Sequence, residues 1–255
     1  MKIAIVIPCY RVRAHILEVL AGIGPEAARI YVVDDLCPEH SGELVRTECR
    51  DPRVEVLRNP KNLGVGGATI AGYRRALADG ADIVVKLDGD GQMDAAAVSC
   101  LIEPIRRGAA DYCKGNRFYH PGGLKDMPPV RLLGNAVLSF VNKLVNGYWQ
   151  VMDPTNGFTA IHAAVLRLLP LDRLDNGYFF ESDMLFRLST VRAVVTDIPM
   201  AVRYGSENSG LSVWGSLLDF PLKYGIRILK RIAYNYYLRD FNAGSLAACG
   251  KSPYA

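Results

Sequence analysis

The sequence lacks the features that mark several specialised classes of protein. Its 255 residues contain no run of about 18 apolar residues, so no segment is expected to span a membrane. The six cysteines include no CxxC pair, which argues against a zinc site and favours free thiols in a reducing compartment. Met1 and Lys2 lead directly into a strand-like run instead of a signal peptide, so a cytoplasmic location is expected.

A strong charge imbalance is also missing. The net charge of +4 is too small to indicate a nucleic-acid partner. With 50% hydrophobic and 22% charged residues, and with no internal repeat or low-complexity stretch, the composition is that of an ordinary globular protein. A chain of this length can build one large core, or one domain with an appendage.

The first half of the chain alternates short apolar runs with helix-like periodicity. Apolar runs predict strands at residues 3–7, 30–33, 54–57 and 83–87, and three- or four-residue spacing predicts helices at residues 14–22, 66–78 and 95–106. This βαβα order predicts an α/β fold with a mainly parallel sheet and helices on both faces.

The second half is less regular and ends in a segment of different character. Its patterns predict helices at residues 131–146 and 179–188, a strand at 158–161 and a strand at 193–204 that Pro199 interrupts. Residues 216–241 mix five basic and two acidic residues with apolar and tyrosine side chains. Such a mixture at helical spacing favours C-terminal amphipathic helices that lie on an anionic membrane surface. The alternative is an ordinary amphipathic helix packed on the domain.

The most informative motif is the run Val-Val-Lys-Leu-Asp-Gly-Asp-Gly-Gln at residues 84–92. An apolar strand ends there in two aspartates one residue apart, Asp88 and Asp90. Open α/β sheets bind ligands beyond the carboxyl ends of their strands, and hard divalent cations prefer oxygen ligands. The motif therefore predicts a Mg²⁺ or Mn²⁺ site with a phosphate-bearing ligand, although an isolated Asp-Gly-Asp also occurs in acidic surface turns.

Three other predicted strand ends carry polar groups, at residues 8–11, 34–35 and 58–62. In a parallel sheet these ends meet at the same edge as Asp88, so together they predict a site for a charged ligand. The glycine-rich run at residues 62–68 superficially resembles a dinucleotide-binding loop. It lacks the complete GxGxxG spacing and the acidic residue expected on a following strand, which argues against a nicotinamide cofactor.

Taken in order, these motifs resemble the family 2 glycosyltransferases of the GT-A (nucleotide-diphospho-sugar transferase) fold, and among them the polyprenyl- and dolichol-phosphate sugar transferases. The resemblance extends over residues 3–212. It rests on the segments 5–10, 32–35, 59–67, 88–92, 114–117, 153–158 and 177–185 and on Arg131. It implies a one-domain transferase at residues 1–212, followed by a membrane-interface helical tail at residues 213–255. It also implies inverting, metal-dependent sugar transfer from a UDP- or GDP-linked donor.

The resemblance implies a role for each matching residue on the donor side. Asp35 is expected to bind the nucleoside and Asp88 to lie against the ribose. Asp90 and Gln92 are expected to hold Mg²⁺ or Mn²⁺ on the diphosphate. The full set of residues expected at the donor is Pro8, Tyr10, Asp35, Asn62, Gly67, Lys86, Asp88 and Gly89.

The resemblance also implies phosphate-binding and catalytic residues. Guanidinium forks pair bidentately with phosphate oxygens, and the arginines in matching positions are Arg117, Arg131 and Arg203. The carboxylates expected to be catalytic are Asp153, Glu181 and Asp183. Dolichol-phosphate mannosyltransferases have an amide and a glutamate where this chain has Glu181 and Asp183, so the identity of the acceptor stays open.

Three functions are compatible with this sequence. In the favoured one, the acceptor is a polyprenyl phosphate at the cytoplasmic face of the membrane. In the second, a saccharide hydroxyl is attacked, as in polysaccharide or O-antigen synthesis, and Asp183 would act as its general base. In the third, the protein binds a sugar nucleotide without catalysis. No nucleic-acid partner is expected, and the oligomeric state is left open.

Overall fold

The computed structural model describes residues 1–119, 129–200 and 213–239. Within these ranges the strands are β1 (Ile3–Cys9), β2 (Ala27–Asp34), β3 (Val54–Arg58), β4 (Ile83–Lys86), β5 (Tyr112–Asn116), β6 (Thr159–His162) and β7 (Val195–Pro199). The α-helices are α1 (Ile16–Ala21), α2 (Ser41–Glu48), α3 (Gly64–Ala78), α4 (Val98–Arg106), α5 (Pro129–Asn146), α6 (Ala163–Leu168), α7 (Phe180–Thr190) and α8 (Val213–Arg231). A π-helical segment, Ile232–Arg239, continues α8.

The seven described strands form one sheet in the order β3-β2-β1-β4-β6-β5-β7. Strands β3, β2, β1 and β4 are parallel to one another, whereas β6 is antiparallel to both of its neighbours. Because β5 and β7 are parallel to each other, only β6 runs against the common direction among these strands. The predicted mainly parallel sheet is therefore confirmed, and the carboxyl ends of β1 to β4 lie along one edge.

Alternate residues of the central strands enter two different hydrophobic clusters. Ile5 and Val85 lie in the cluster that also contains residues of α1 and α4. Val6 and Val84 lie in the cluster that contains residues of α3 and α7. A strand that is buried on both faces reads as a continuous apolar run instead of an alternating one, as β1 and β4 do. The predicted helices on both faces of the sheet are confirmed.

The sequence analysis did not anticipate helix α2 between β2 and β3, strand β5 or the short helix α6 after β6. Strand β5 carries the unlikely strand sequence Tyr-Cys-Lys-Gly-Asn. Every residue of β5 is buried, including the charged Lys114. Strand β7 ends at Pro199, where the sequence predicted an interruption, and residues 201–204 of that prediction lie outside the described residues.

The C-terminal helix packs against α5 and α7 through one face. The Tyr224 hydroxyl accepts a hydrogen bond from Asn142 Nδ2 at 2.5 Å and lies 2.9 Å from Ser182 Oγ. The Tyr224 ring also contacts Phe179 edge-on, with 4.8 Å between centroids. The segments on either side of the predicted boundary at residue 212 are thus in contact, and the boundary stays a prediction. None of the helices that the structure describes has the length and apolar character needed to cross a bilayer.

Candidate active site

The polar ends of the parallel strands meet, as the sequence predicts. The Asp35 N–H donates to the Cys9 carbonyl at 3.2 Å, which joins the end of β2 to that of β1. The Asn59 N–H donates to the Asp34 carbonyl at 2.9 Å, which joins the end of β3 to that of β2. The Leu87 N–H donates to Val6 at 3.0 Å, so the Asp-Gly-Asp motif begins beside β1. These backbone bonds bring four polar loops to one edge.

Asp35 organises the loop that leads from β3 into α3. Its buried carboxylate accepts hydrogen bonds from Asn59 Nδ2 at 2.7 Å and from the backbone N–H groups of Leu63 and Gly64 at 2.8–3.0 Å. Gly64 has φ of +80°, a conformation that glycine adopts without strain. Much of the hydrogen-bonding capacity of Asp35 therefore shapes this loop, and its predicted contact with a nucleoside stays a prediction.

The glycine-rich start of α3 packs against the loop before α7. The Gly67 N–H donates to the Asn176 carbonyl at 3.1 Å, and a Cβ on Gly66 would collide with the Asp175 carbonyl. Gly66 is thus required for the close approach of the two backbones. In a dinucleotide-binding loop, the backbone N–H groups bind phosphate. Here the Gly67 N–H donates to the carbonyl of Asn176 instead.

Lys86 connects the Asp-Gly-Asp motif to α7. Its fully buried ammonium lies 2.6 Å from Asp88 Oδ1 and 3.0 Å from Glu181 Oε1. Burial alone would lower the pKa of Lys86, but the two carboxylates outweigh it and raise this pKa above its usual range. A Cβ on Gly157 would collide with Asp88 Oδ2, so the absence of a side chain there lets the 153–158 loop close over the pair.

Asp183 is held by two arginines from different helices. The Arg187 Nε group donates to Asp183 Oδ2 at 3.2 Å, and the Arg227 Nε group donates to Oδ1 at 2.7 Å. The Asp175 N–H donates to Oδ2 as well, at 3.1 Å. Asp183 is fully buried, so this carboxylate is enclosed by donors. Its predicted role as a general base stays a prediction, and these contacts leave little room for it.

Asp153 forms a bidentate ion pair with Arg117. Arg117 donates through Nε to Asp153 Oδ2 at 2.6 Å and through Nη2 to Oδ1 at 2.8 Å. The neighbouring Lys114 ammonium donates to the Asn156 carbonyl in the same loop. Burial lowers the pKa of Lys114 to about 8, although Glu181 and Asp153 counteract this shift. The predicted phosphate-binding Arg117 is thus positioned by one of the predicted catalytic acids.

Asp88, Asp90 and Gln92 lie at the carboxyl edge of β4, and each has a side-chain oxygen that could bind a cation. The side chain of Asp88 is 28% exposed, and Asp90 Oδ1 accepts the Gln92 N–H at 3.0 Å. Within the described ranges, no group of three or more His, Cys, Asp and Glu side chains is arranged to hold a metal ion. The two carboxylates fit a hard cation that completes its coordination shell with substrate phosphate and water.

The remaining predicted donor residues lie around this edge. Pro8 and Gly89 are buried, and Gly89 faces the side chains of α1 and the preceding loop. Tyr10 and Asn62 are exposed, and Asn62 Oδ1 accepts the Gly64 N–H at 3.0 Å. Their contacts with a donor stay predictions.

The side chains of the other two predicted phosphate-binding arginines are not among those that the structure describes. Arg131 belongs to the first turn of α5, but its side chain is not among those described. Arg203 lies outside the described residues.

Sequence reasoning did not single out Arg187, Arg227 or Asn156 as site residues. The four-residue spacing of Asp183 and Arg187 on a predicted helix was a usable signal, because such residues share one helix face. No local signal could have paired Arg227 with Asp183, which lies 44 positions away.

Comparison with known proteins agrees with this architecture. Residues 4–169 match the model of Glycosyl transferase family 2. The undecaprenyl-phosphate mannosyltransferase of Micrococcus luteus is 31% identical over 205 residues, which cover 78% of this chain and 83% of that protein. The UDP-N-acetylglucosamine–dolichyl-phosphate N-acetylglucosaminyltransferase of Methanococcus voltae is 31% identical over 178 residues, 70% of each protein.

A solved structure shares the fold. It is glucosyl-3-phosphoglycerate synthase from Mycobacterium tuberculosis in complex with Mn²⁺, UDP and glucosyl-3-phosphoglycerate, with a TM-score of 0.64 and 18% identity. The match covers 92% of this chain and 81% of that one. The predicted GT-A fold is confirmed. With a family model that matches most of the sheet and a relative of similar length at 31% identity, the chain belongs to glycosyl transferase family 2.

Proposed function

We propose that this enzyme transfers a sugar, with inversion, from a UDP- or GDP-linked donor to a polyprenyl phosphate at the cytoplasmic face of a membrane. The relatives from Micrococcus luteus and Methanococcus voltae are named for undecaprenyl- and dolichyl-phosphate transfer, and both align over at least 70% of this chain. Their names support the acceptor class. They leave the sugar of this enzyme open.

One observation carries the choice of acceptor. Each of the three acids expected to be catalytic is already paired with a cation: Glu181 with Lys86, Asp183 with Arg187 and Arg227, and Asp153 with Arg117. A hydroxyl acceptor needs a base that takes its proton, and a paired carboxylate must first give up a buried ion pair. A phosphate acceptor is ionised near neutral pH and needs no such base. The geometry therefore supports the phosphate.

On the donor side, we propose that Asp90 and Gln92, with Asp88 beside them, hold Mg²⁺ or Mn²⁺ on the diphosphate. The all-oxygen donor set and the partial exposure of Asp88 support this assignment. When bound, the metal neutralises charge on the departing nucleoside diphosphate. The glucosyl-3-phosphoglycerate synthase structure from Mycobacterium tuberculosis, which shares the fold, contains Mn²⁺ and UDP, so the fold is compatible with such a site.

The residues of the chain itself would then position the two reactants. Lys86 holds Asp88 and Glu181 together across the sheet edge, which fixes the donor side relative to α7. Arg117, kept in place by Asp153, is proposed to bind the acceptor phosphate together with Arg131 and Arg203. The phosphate oxygen attacks the anomeric carbon from the face opposite the diphosphate, a new C–O bond forms, and the nucleoside diphosphate leaves.

The proposed membrane location is supported by the outer face of α8. Leu222 and Leu229 are 68% and 69% exposed, although their neighbours Lys223 and Arg227 bind Asp175 and Asp183 of the domain. The helix thus has one face packed on the domain and a second face with exposed leucines and the exposed Lys230. Such a surface suits the boundary of headgroups and acyl chains.

A transfer assay tests the function. The protein would be incubated with Mn²⁺ or Mg²⁺ and a panel of radiolabelled UDP- and GDP-sugars, with and without undecaprenyl phosphate, and the lipid fraction extracted. Label is expected in the lipid only when the lipid phosphate is present, and one nucleotide series is expected to dominate. Label that moves to a saccharide hydroxyl instead would favour the second function. Donor binding without any transfer or hydrolysis would favour the non-catalytic one.

A further inference from the structure

A second, basic groove lies between α7 and the C-terminal helix, away from the Asp-Gly-Asp motif. It has a volume of about 660 Å³. The described residues that line it include four cations and no acid: Arg173, Arg187, Arg227 and Lys230. The groove reaches Thr190, which is about 13 Å along α7 from Glu181 at 1.5 Å per residue. Arg117, which we propose for the acceptor phosphate, is not among the residues that line the groove.

The inner wall of the groove carries an excess of positive charge. Arg187 and Arg227 share a single partner carboxylate, that of Asp183. The exposed Arg173 and Lys230 stand at the outer wall. A fifth cation, Arg239, closes one end, where it donates to the Thr190 carbonyl at 2.7 Å and lies over the Tyr234 ring at 5.4 Å. Among the described residues, these five cations are accompanied by one carboxylate, and such an excess of donors is complementary to an anion with several acceptor oxygens.

The rim of the groove is apolar and exposed. Leu238, which lines it, is 78% exposed, and Tyr234 presents its ring beside it. Leu229 stands next to Lys230 and is also exposed. A small soluble anion gains nothing from such a rim. An anionic lipid would make two favourable contacts, because its phosphate can bind the arginines while its acyl chains cover the leucines. Tyrosine is favoured at the boundary between headgroups and acyl chains.

We propose that this groove binds the phosphate headgroup of an anionic membrane phospholipid. The proposal adds a defined headgroup site to the proposed membrane location, and it does not depend on which acceptor or donor the enzyme uses. Two arginines that line the groove, Arg187 and Arg227, also hold Asp183, so a ligand in the groove would contact the partners of this predicted catalytic carboxylate.

Binding to vesicles tests the proposal without donor or acceptor, so its outcome is separate from that of the transfer assay. The intact protein would be co-sedimented in low salt with phosphatidylcholine vesicles that contain or lack phosphatidylglycerol. Wild type is expected to bind only the anionic vesicles. The double variant Arg173→Gln/Lys230→Gln should lose roughly 25-fold in affinity, at roughly fivefold per cation near an anionic surface. Both residues are exposed, so the fold should survive, and nucleotide binding should not change.

A matched variant separates the groove from net charge. Arg50→Gln/Arg167→Gln removes the same two charges from exposed positions elsewhere and should bind anionic vesicles nearly as wild type does. An equal loss of vesicle affinity in both double variants would overturn the proposed lipid site. A wild type that does not bind anionic vesicles would overturn it as well. Competition distinguishes the phosphate source. Short-chain phosphatidylglycerol should displace the vesicles far better than glycerol phosphate, and equal displacement would overturn the lipid assignment.

Discussion

The two sides of the candidate active site differ in how their carboxylates are paired. At the end of β4, Asp88 and Asp90 present oxygen atoms toward the edge of the sheet, and Asp88 is partly exposed. On the side formed by α7 and the 153–158 loop, Asp153 and Asp183 are fully buried, and they are paired with one and two guanidinium groups, respectively. The end of β4 is thus acidic and accessible, whereas the carboxylates on the other side are already paired with cations of the protein.

This difference fits the two reactants that we propose. A nucleoside diphosphate needs positive charge that it can bring with it as a bound cation, so an acidic edge is suitable. A lipid phosphate arrives without a metal and needs fixed cations from the protein. Lys86 lies at the junction, because its ammonium contacts Asp88 on one side and Glu181 on the other. Variants that remove charge from each side should therefore fail in different ways.

The largest effect is expected from Asp90→Ala on the donor side. The variant should fold normally but lose metal-dependent binding of UDP or GDP, because a metal that stabilises a diphosphate contributes several kcal/mol. Calorimetry with nucleotide and Mn²⁺ measures this. Asp94→Ala, in the same loop, removes only a cap on the Ala96 N–H and should bind nucleotide as wild type does. An unchanged metal dependence in Asp90→Ala would refute the metal assignment.

Asp183→Asn probes the opposite side. The substitution leaves Arg187 and Arg227 without their shared carboxylate, so the free energy of unfolding should fall by about 3–5 kcal/mol. Urea unfolding gives this value. Asp175→Asn, whose partner Lys223 is more exposed, should cost less than about 1 kcal/mol. Folded Asp183→Asn should keep most of its turnover with a lipid phosphate. A turnover loss of roughly 10²–10⁴ at unchanged KM would identify a general base instead.

Lys114→Met tests the cost of a buried cation. In the folded protein the pKa of Lys114 lies at about 8, below its unfolded value near 10.5. The cost of burying the charge is therefore full below pH 8 and disappears as the pH rises toward 10.5. Wild type should gain up to about 3 kcal/mol relative to Lys114→Met over that interval, since one pKa unit corresponds to about 1.4 kcal/mol. The exposed Lys61→Met should follow wild type throughout. A constant difference would contradict the shift.

The smallest of these effects is expected from Arg117→Lys. Lysine keeps the charge but cannot form the two-pronged contact with Asp153, so transfer should slow by an amount equivalent to about 1.5–3 kcal/mol. Arg53→Lys is a suitable control, because Arg53 makes a similar bidentate contact with Asp51 far from the site. Wild-type kinetics in Arg117→Lys would exclude a role for its fork.

The acidic side of the site could be foreseen from the sequence, and the cationic side only in part. Asp88 and Asp90 follow an apolar run, so their position at the edge of a parallel sheet follows from local pattern alone. Glu181 and Asp183 were found by family resemblance. Their ion pairs were not predicted, because Lys86 reaches Glu181 and Arg227 reaches Asp183 only after the sheet has assembled and α8 has docked.

The strands of the fold likewise divide into those that the sequence predicts and those that it does not. Strands β1 and β4 were predicted because they are buried on both faces and therefore read as apolar runs. Strands β2 and β3 are less buried and were predicted from shorter apolar runs. Strand β5 was missed because Lys114 and Asn116 interrupt its pattern, and both are buried for contacts with the 153–158 loop and with Asp197. A strand whose buried side chains are polar cannot be recognised from its local sequence, because the groups that bind those side chains are distant in the chain.

The ion pair between Arg227 and Asp183 can form only late in the synthesis of the chain. Helix α7 leaves the ribosome before α8, so Asp183 is present while Arg227 is not. At that stage its carboxylate has one arginine instead of two, and Ser182 lacks the Tyr224 hydroxyl. A chain stalled before α8 would therefore carry Asp183 and Ser182 without these partners from α8. Translation of α8 is thus the step that supplies the second arginine to Asp183.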